Sequence, residues 1–407
     1  MNPQTNPLVE GRPGLARVLA VLDGEGEEAR IVGGAVRDWL TGRGLRSDID
    51  IATTALPDEV ERRAGRAGLK TVPTGIEHGT VTVIADGEPY EVTTLREDVE
   101  TDGRRARVVF GRSWAHDAHR RDFTMNALYL TRSGELVDLV DGAADAKAGC
   151  VRFIGDADTR IREDYLRILR LFRFHAAFGR GPLDPPALAA AIRNREGLDR
   201  LSRERVRAEL MKLLMAPRAG ETLAQMQQAG LLTPVLGREG EVAPCARLAE
   251  VEAALGLPPD AVRRLGALAV HAPADAEALR VGLRLSNAEG ARLIALAGPA
   301  PTPAMCEKGQ KAFLYRMGRE PFQDRALIAF ARAGAPLEDE GWRALALLAA
   351  EWPIPVFPLK AGDFLARGLT PGPALGAALK RAEEAWIEAG FPLETAALEG
   401  ILEGAVG

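Results

Sequence analysis

Strand signals in this chain stop near residue 141 and do not return, and that asymmetry constrains the fold more than any other feature. Residues 29–141 mix short β-like runs with helical ones. Residues 30–32 read as a strand entering Gly33-Gly34, and residues 35–40 as a helix leaving it. Asp48-Ile49-Asp50-Ile51 alternates polar and apolar side chains, the period of a strand with one buried face. Residues 80–85 and 90–95 flank Asp86-Gly87, and residues 127–130 and 136–140 flank Ser133-Gly134; both dipeptides signal hairpins. From Thr159 onward the pattern is helical. Residues 159–178 predict one helix, with Ile161, Tyr165, Ile168 and Phe172 on a single apolar stripe. Further helices are expected at 186–195, 202–215, 219–229 and 259–297, and across 304–407 with breaks at 353–358 and 368–376. The Gly-Pro run at 298–303 reads as a linker. Strands first and helices afterwards give an α+β class, a small mixed-sheet head followed by all-α segments.

At ~100–200 residues per domain, 407 residues suggest two to four domains. No apolar run approaches the ~18 residues of a membrane span, so none is expected. The polar start lacks the order of a signal peptide. Cys150, Cys245 and Cys306 lie far apart and offer neither zinc spacing nor a disulfide framework, which suits a cytoplasmic protein with reduced thiols. The net charge of −5 does not by itself suggest nucleic acid. Its distribution does: residues 160–212 hold 13 Lys+Arg against 7 Asp+Glu, a local excess of +6. Only 7 of the 52 basic residues are lysine. A GC-rich genome accounts for such a bias, and arginine's planar fork also suits bidentate contact with phosphate.

Three blocks carry chemistry. The first is Gly33-Gly34-Ala35-Val36-Arg37-Asp38 followed by Asp48-Ile49-Asp50. A glycine pair between strand and helix lets backbone N–H groups approach a phosphate, and Arg37 lies one turn into that helix. Asp48 and Asp50, two apart on a strand, are expected on one face, where oxygen ligands can hold two Mg²⁺ ions. Such ions activate an attacking hydroxyl and steady a leaving oxygen. The second block is Arg120-Arg121-Asp122-Phe123-Thr124-Met125-Asn126, in which Asp122 and Asn126 are candidates for a ribose hydroxyl and Arg121 for phosphate. The third runs from Arg160 to Phe174. On a continuous helix Asp164 and Arg167 would be i, i+3 neighbours. A carboxylate accepting from an exocyclic amine and an arginine donating to the adjacent ring nitrogen would accept adenine and cytosine and reject guanine and uracil. At 100° per residue, Arg173 falls opposite Asp164, so Arg170 and Arg173 are assigned to triphosphate or primer backbone.

Together these blocks resemble the class II CCA-adding enzymes, tRNA nucleotidyltransferases of the DNA polymerase β superfamily, a family that also holds the bacterial poly(A) polymerases. The resemblance covers residues 30–215. Leu201-Ser202-Arg203-Glu204-Arg205-Val206 with Glu209-Leu210 is similar to the family's last neck motif, and Gly362-Asp363-Phe364-Leu365 with Gly368, Pro371-Gly372-Pro373 and Gly376 to a tail element. The resemblance implies a catalytic head at 1–150, a base-reading neck at 151–217, a helical body at 218–300 and a tRNA-gripping tail at 301–407. It implies Asp48 and Asp50 as catalytic metal carboxylates for Mg²⁺. It implies Gly34, Arg37 and Arg121 at the nucleotide, Asp164 and Arg167 at its base, and Arg170 and Arg173 nearby, beside the Gly33, Asp122 and Asn126 read from the blocks themselves. The substrates would be tRNA, CTP and ATP, with no nucleic-acid template and no membrane; the sequence sets no oligomeric state.

Glu91, on the hairpin strand, is a candidate third carboxylate, and the polar, arginine-rich segment 97–112 a candidate mobile loop. In the family a loop here helps the change from CTP to ATP. The family often has proline where this chain has Tyr165, a change expected to matter little. His116-Asp117 looks like half of a phosphohydrolase dyad, but the other histidines supply no second half. A poly(A) polymerase, a CC-adding or A-adding specialist, and an RNA-binding protein with a dead site are the competing readings.

Overall fold

The computed structural model describes residues 6–44, 48–75, 79–98 and 108–406. Their contacts gather into two compact units, Met1–Val235 and Leu236–Gly407.

The first unit is built on a seven-stranded sheet in the order β3-β4-β5-β2-β1-β8-β9. Its strands are β1 (Ala29–Val32), β2 (Asp50–Thr53), β3 (Lys70–Gly75), β4 (Thr80–Ala85), β5 (Glu88–Thr94), β8 (Leu128–Thr131) and β9 (Leu136–Asp138), while β6 (Arg96–Asp98) and β7 (Val108–Phe110) form a separate ladder. The β2–β5 pair is parallel and the other pairs of the sheet are antiparallel. Both expected hairpins form. The first turns at Asp86 and Gly87 with φ of 52° and 85°, the positive pair that a two-residue hairpin turn requires. One register row crosses the sheet as Val32, Asp50, Glu91 and Thr82.

Five helices accompany the sheet: α1 (Pro13–Leu22), α2 (Gly34–Leu40), α3 (Pro57–Arg66), α4 (Trp114–His119) and α5 (Gly142–Ala148). Helix α1, where the sequence set no element, buries Leu15, Val18, Leu19 and Leu22. The helix expected over 159–178 is two, α6 (Ala157–Glu163) and α7 (Leu166–Phe178). Asp164 between them is extended, with φ −152° and ψ 105°. Its Oδ1 accepts from Leu166 N–H at 3.1 Å and its carbonyl from Arg167 N–H at 3.0 Å. A short carboxylate that satisfies the first N–H groups of a new helix competes with continuing the old one. The expected stripe survives in part: Ile161, Ile168 and Phe172 are buried, whereas Tyr165 at the break is half-buried. Helices α8 (Pro185–Arg193), α9 (Arg203–Leu214) and α10 (Ala219–Gln228) follow as expected, with α11 (Leu232–Leu236) at the boundary.

The second unit is helical: α12 (Val242–Ala254), α13 (Ala261–Ala269), α14 (Pro273–Gly282), α15 (Asn287–Leu296), α16 (Glu307–Met317), α17 (Arg319–Ala333), α18 (Glu340–Glu351), α19 (Ala361–Leu365), α20 (Pro373–Glu388) and α21 (Thr395–Val406). Helix α12 was not anticipated; Pro244 sits in its first turn, where a missing N–H costs nothing. The segment expected as one run over 259–297 is three helices. The Gly-Pro run at 298–303 is fastened inside this unit, because Arg325 donates to the carbonyls of Ala295, Ala297 and Pro299, each at 2.6 Å. Among the described residues no helix is long and apolar enough to cross a membrane.

Candidate active site

A cavity of about 1040 Å³ opens in the first unit. Each residue assigned to metal, phosphate, ribose or base in the sequence lines it: Gly33, Gly34, Arg37, Asp48, Asp50, Glu91, Arg121, Asp122, Asn126, Asp164, Arg167, Arg170 and Arg173. Arg96, Arg120, Phe174 and Phe178 also line it. The two phenylalanines lie four apart on α7, a spacing that the sequence carries but that was not read as part of the site. Arg96 carried none beyond its place beside the arginine-rich segment.

Sheet topology explains much of this convergence. Gly33 ends β1 with φ 76°, which only glycine adopts readily, and its carbonyl accepts from Arg37 N–H in the first turn of α2. Next to β1, β2 begins at Asp50, and the parallel register sets Glu91 directly opposite Asp50. Asp48 precedes the strand rather than lying on it, yet it lines the same cavity. Burial pushes the Asp50 carboxyl up to about 6, Glu91 and Asp48 add to the rise, and Arg121 opposes it. A buried carboxyl raised further by two neighbouring acids belongs to a donor set that a hard cation relieves. Among the described residues no three His, Cys, Asp or Glu side chains form a ready cage. Mg²⁺ needs none, since one or two carboxylates plus substrate phosphates serve it.

The arginines opposite are held by buried acids. Asp117 accepts from Arg120 Nε at 2.8 Å, from Arg121 Nε at 3.1 Å and from the Tyr129 hydroxyl at 2.9 Å. His116-Asp117 is therefore no phosphohydrolase dyad; its acid anchors two cavity arginines. A second chain runs from α2 to α7. Asp38 accepts from Arg37, whose NH1 donates to Asn126 Oδ1 at 2.7 Å; Asn126 Nδ2 donates to Asp122 at 3.2 Å, and Asp122 accepts from Arg170 Nε at 2.7 Å. The Arg37 guanidinium also stacks on Phe178, 3.6 Å from the ring centre. Arg173 pairs with Glu209 of α9.

The break at Asp164 changes the geometry expected of the third block. Asp164 is not on α7, so the rotation that would turn it away from Arg173 does not apply, and all four side chains reach one cavity. Asp164 and Arg167 are not an ion pair. Asp164 Oδ2 accepts from Arg205 of α9 at 2.7 Å, while Arg167 pairs with Glu163 and donates to the Arg160 carbonyl at 2.6 Å. Of the segment 97–112, residues 99–107 lie outside the described ones; Arg112 pairs with Glu27 at 2.7 Å.

A second cavity, of about 600 Å³, shares Asp48, Asp50 and Glu91 with the first and extends to Arg12, Thr82, Glu88 and Tyr90.

The Poly A polymerase head domain family matches residues 29–152, and the probable RNA and SrmB-binding site of polymerase A matches 182–240. The human mitochondrial CCA tRNA nucleotidyltransferase 1 is 34% identical, over 94% of this chain and 88% of its own length. The CCA-adding enzyme of Limosilactobacillus fermentum is 35% identical, over 89% of each. The crystal structure of the Bacillus stearothermophilus CCA-adding enzyme in complex with CTP superposes with a TM-score of 0.75 at 29% identity, covering 98% of both chains.

Proposed function

The chain belongs to the CCA-adding tRNA nucleotidyltransferase family, and from that membership we propose how its own residues carry out CCA addition. The reaction adds C, C and A to tRNA 3′ ends from CTP and ATP without a template. The 3′ hydroxyl attacks the α-phosphate of the incoming nucleotide and pyrophosphate leaves. The observation that carries the assignment of roles is the single cavity in which a glycine turn, three carboxylates and a ring of arginines meet.

Asp48 and Asp50, with Glu91 beside them, are the residues to hold Mg²⁺, which when bound polarises the hydroxyl and compensates phosphate charge. The Gly33-Gly34 turn and the N-terminus of α2 receive phosphate oxygens. Arg121, fixed by Asp117, and Arg170, fixed by Asp122, point positive charge at the triphosphate without needing to reorganise. Arg37 and Asn126 set the position of Asp122 beneath the ribose. Asp164 and Arg167 read the base edge, and Arg173 neighbours the triphosphate. The base-reading pair is held by Arg205 and Glu163 in the structure, so nucleotide entry exchanges those partners for the base. By the same reading residues 1–150 are the head, 151–217 the neck, 218–300 the body and 301–407 the tRNA-binding tail, in a cytoplasmic enzyme.

The test uses three tRNA transcripts, ending at the discriminator base, at −C and at −CC, with Mg²⁺ and labelled CTP, ATP or both. Growth to CCA followed by arrest is the expected result. Long A tails, or extension only to or only from CC, would move the chain to a poly(A) polymerase or a specialist. Asp48→Ala and Asp50→Ala should each abolish incorporation while circular dichroism stays native; retained activity would remove the metal assignment.

A further inference from the structure

The triphosphate cavity leaves one side of the carboxylates unexplained. In the sheet, β1 with its glycine turn lies on one side of β2, and β5 followed by β4 lies on the other. The larger cavity spreads from Asp50 toward β1 and the arginines. The second cavity spreads from the same acids the other way, over Thr82 of β4 and Tyr90 of β5. An in-line displacement needs the attacking oxygen and the leaving group on opposite sides of the reacting phosphorus. A triphosphate lying among the arginines therefore requires the hydroxyl to arrive from the side of the second cavity.

That side is acidic apart from Arg12. Its position follows from α1. A Cβ at Gly14 would sit 2.9 Å from the carbonyl oxygen of Ala85, so glycine there lets the start of α1 close onto the β4–β5 turn. The Arg12 carbonyl accepts from Ala16 N–H and its N–H donates to the Val9 carbonyl, which fixes its backbone. NH1 donates to the Leu8 carbonyl at 3.1 Å. Among the described residues Arg12 has no carboxylate at ion-pair distance, unlike Arg121, Arg167, Arg170 and Arg173, each of which has one. It is a half-exposed cation facing a cavity whose other charged groups would repel RNA.

We propose that the second cavity receives the 3′-terminal nucleotide of the RNA being extended, and that Arg12 is a positioning residue that donates to its phosphodiester. This rests on the nucleotidyltransferase reading above. The arrangement separates the two substrates by charge: the incoming triphosphate meets many arginines, and the RNA end meets one.

The test compares wild type, Arg12→Gln and Arg12→Lys on tRNA ending in −CC with ATP and Mg²⁺. Glutamine keeps a donor for the Leu8 carbonyl and loses the charge; lysine keeps the charge. A charge-assisted contact to phosphate corresponds to roughly a tenfold change. The expected result for Arg12→Gln is about a tenfold rise in KM for tRNA, with unchanged KM for ATP and unchanged melting temperature, and partial rescue by Arg12→Lys. The log–log salt dependence of 1/KM for tRNA should also flatten by about 0.7, the value for one single-strand phosphate contact. An unchanged KM for tRNA, or equal rises for tRNA and ATP, would overturn the proposal while leaving the enzyme assignment standing. A wild-type protein that incorporates neither C nor A would instead remove the reading on which it rests.

Discussion

At the scale of single residues, the site depends on buried acids that never touch substrate. Asp117 is the clearest. Burial pushes its carboxyl up, but Arg121, Arg120 and the Tyr129 hydroxyl outweigh that and hold it below the usual range. A depressed carboxylate adds stability above its unfolded pKa of about 4 and loses it as pH falls through the folded value. Asp117→Asn should therefore cost about 3 kcal/mol at neutral pH, since it leaves two arginines without their buried partner. Its acid-side loss of stability should be shallower than that of wild type, and urea titrations from pH 7 to pH 3 would show both effects. Parallel acid limbs would mean that the fold does not hold the Asp117 carboxyl below its unfolded pKa. Asp164 makes the opposite case, half-exposed and paired with Arg205. Asp164→Ala should keep the melting temperature within a few degrees and lose discrimination against UTP and GTP; unchanged selectivity would refute base reading. The motifs around these residues were legible because a glycine turn or a strand-borne acid is a local signal. Arg12, Arg96, Asp117's anchoring role and the Asp164–Arg205 pair were not, because each depends on a partner or a cavity wall set by distant chain.

Among the elements, the break between α6 and α7 is the instructive one. An unbroken apolar stripe concealed it, since periodicity does not register one extended residue that keeps both halves in phase. Tyr165 opens α7 with φ −60°, a value proline shares, and Asp164 before it is extended, as a residue preceding proline must be. Tyr165 is not neutral, however. A Cβ added at Gly197 would lie 1.9 Å from its ring, so the tyrosine occupies space that glycine leaves open. Gly197→Ala should cost about 1–3 kcal/mol through overpacking. The same change in a Tyr165→Pro background should cost much less, because the ring is gone. Thermal melts of wild type, the two single variants and the double variant give the coupling directly. Additive losses would show that the tyrosine ring does not set the need for glycine. The hairpins were legible for the opposite reason: Asp86-Gly87 carries its turn in two residues.

Across the whole molecule, the two units are stabilised by different means. The first packs helices on a sheet and places its charged network around the cavity. The second is all helix and carries a buried ionic network of its own. Arg263 donates to Glu252 at 2.8 Å and to Asp324 at 2.7 Å, Arg264 donates to Glu252 at 2.8 Å, and Arg292 donates to Asp324 at 2.7 Å and to Asp260 at 2.9 Å. These bonds tie α12, α13, α15 and α17 together through Asp324 and Glu252, which are 0% and 1% exposed. A lone buried charge costs far more than a paired one, so removing one member of such a network costs about 3–5 kcal/mol. Asp324→Asn keeps the shape and removes the charge that answers two arginines. Hydrogen exchange on the full chain separates this effect from the site. Exchange in the variant should rise most in α12, α13, α15 and α17, the helices the network joins. CTP with Mg²⁺ should slow exchange at Gly33 to Leu40, around Arg121 to Asn126 and in α7, where the cavity draws its walls. If CTP instead protected chiefly the second unit, the nucleotide would bind away from the carboxylates, and the catalytic roles assigned to Asp48 and Asp50 would fall with it.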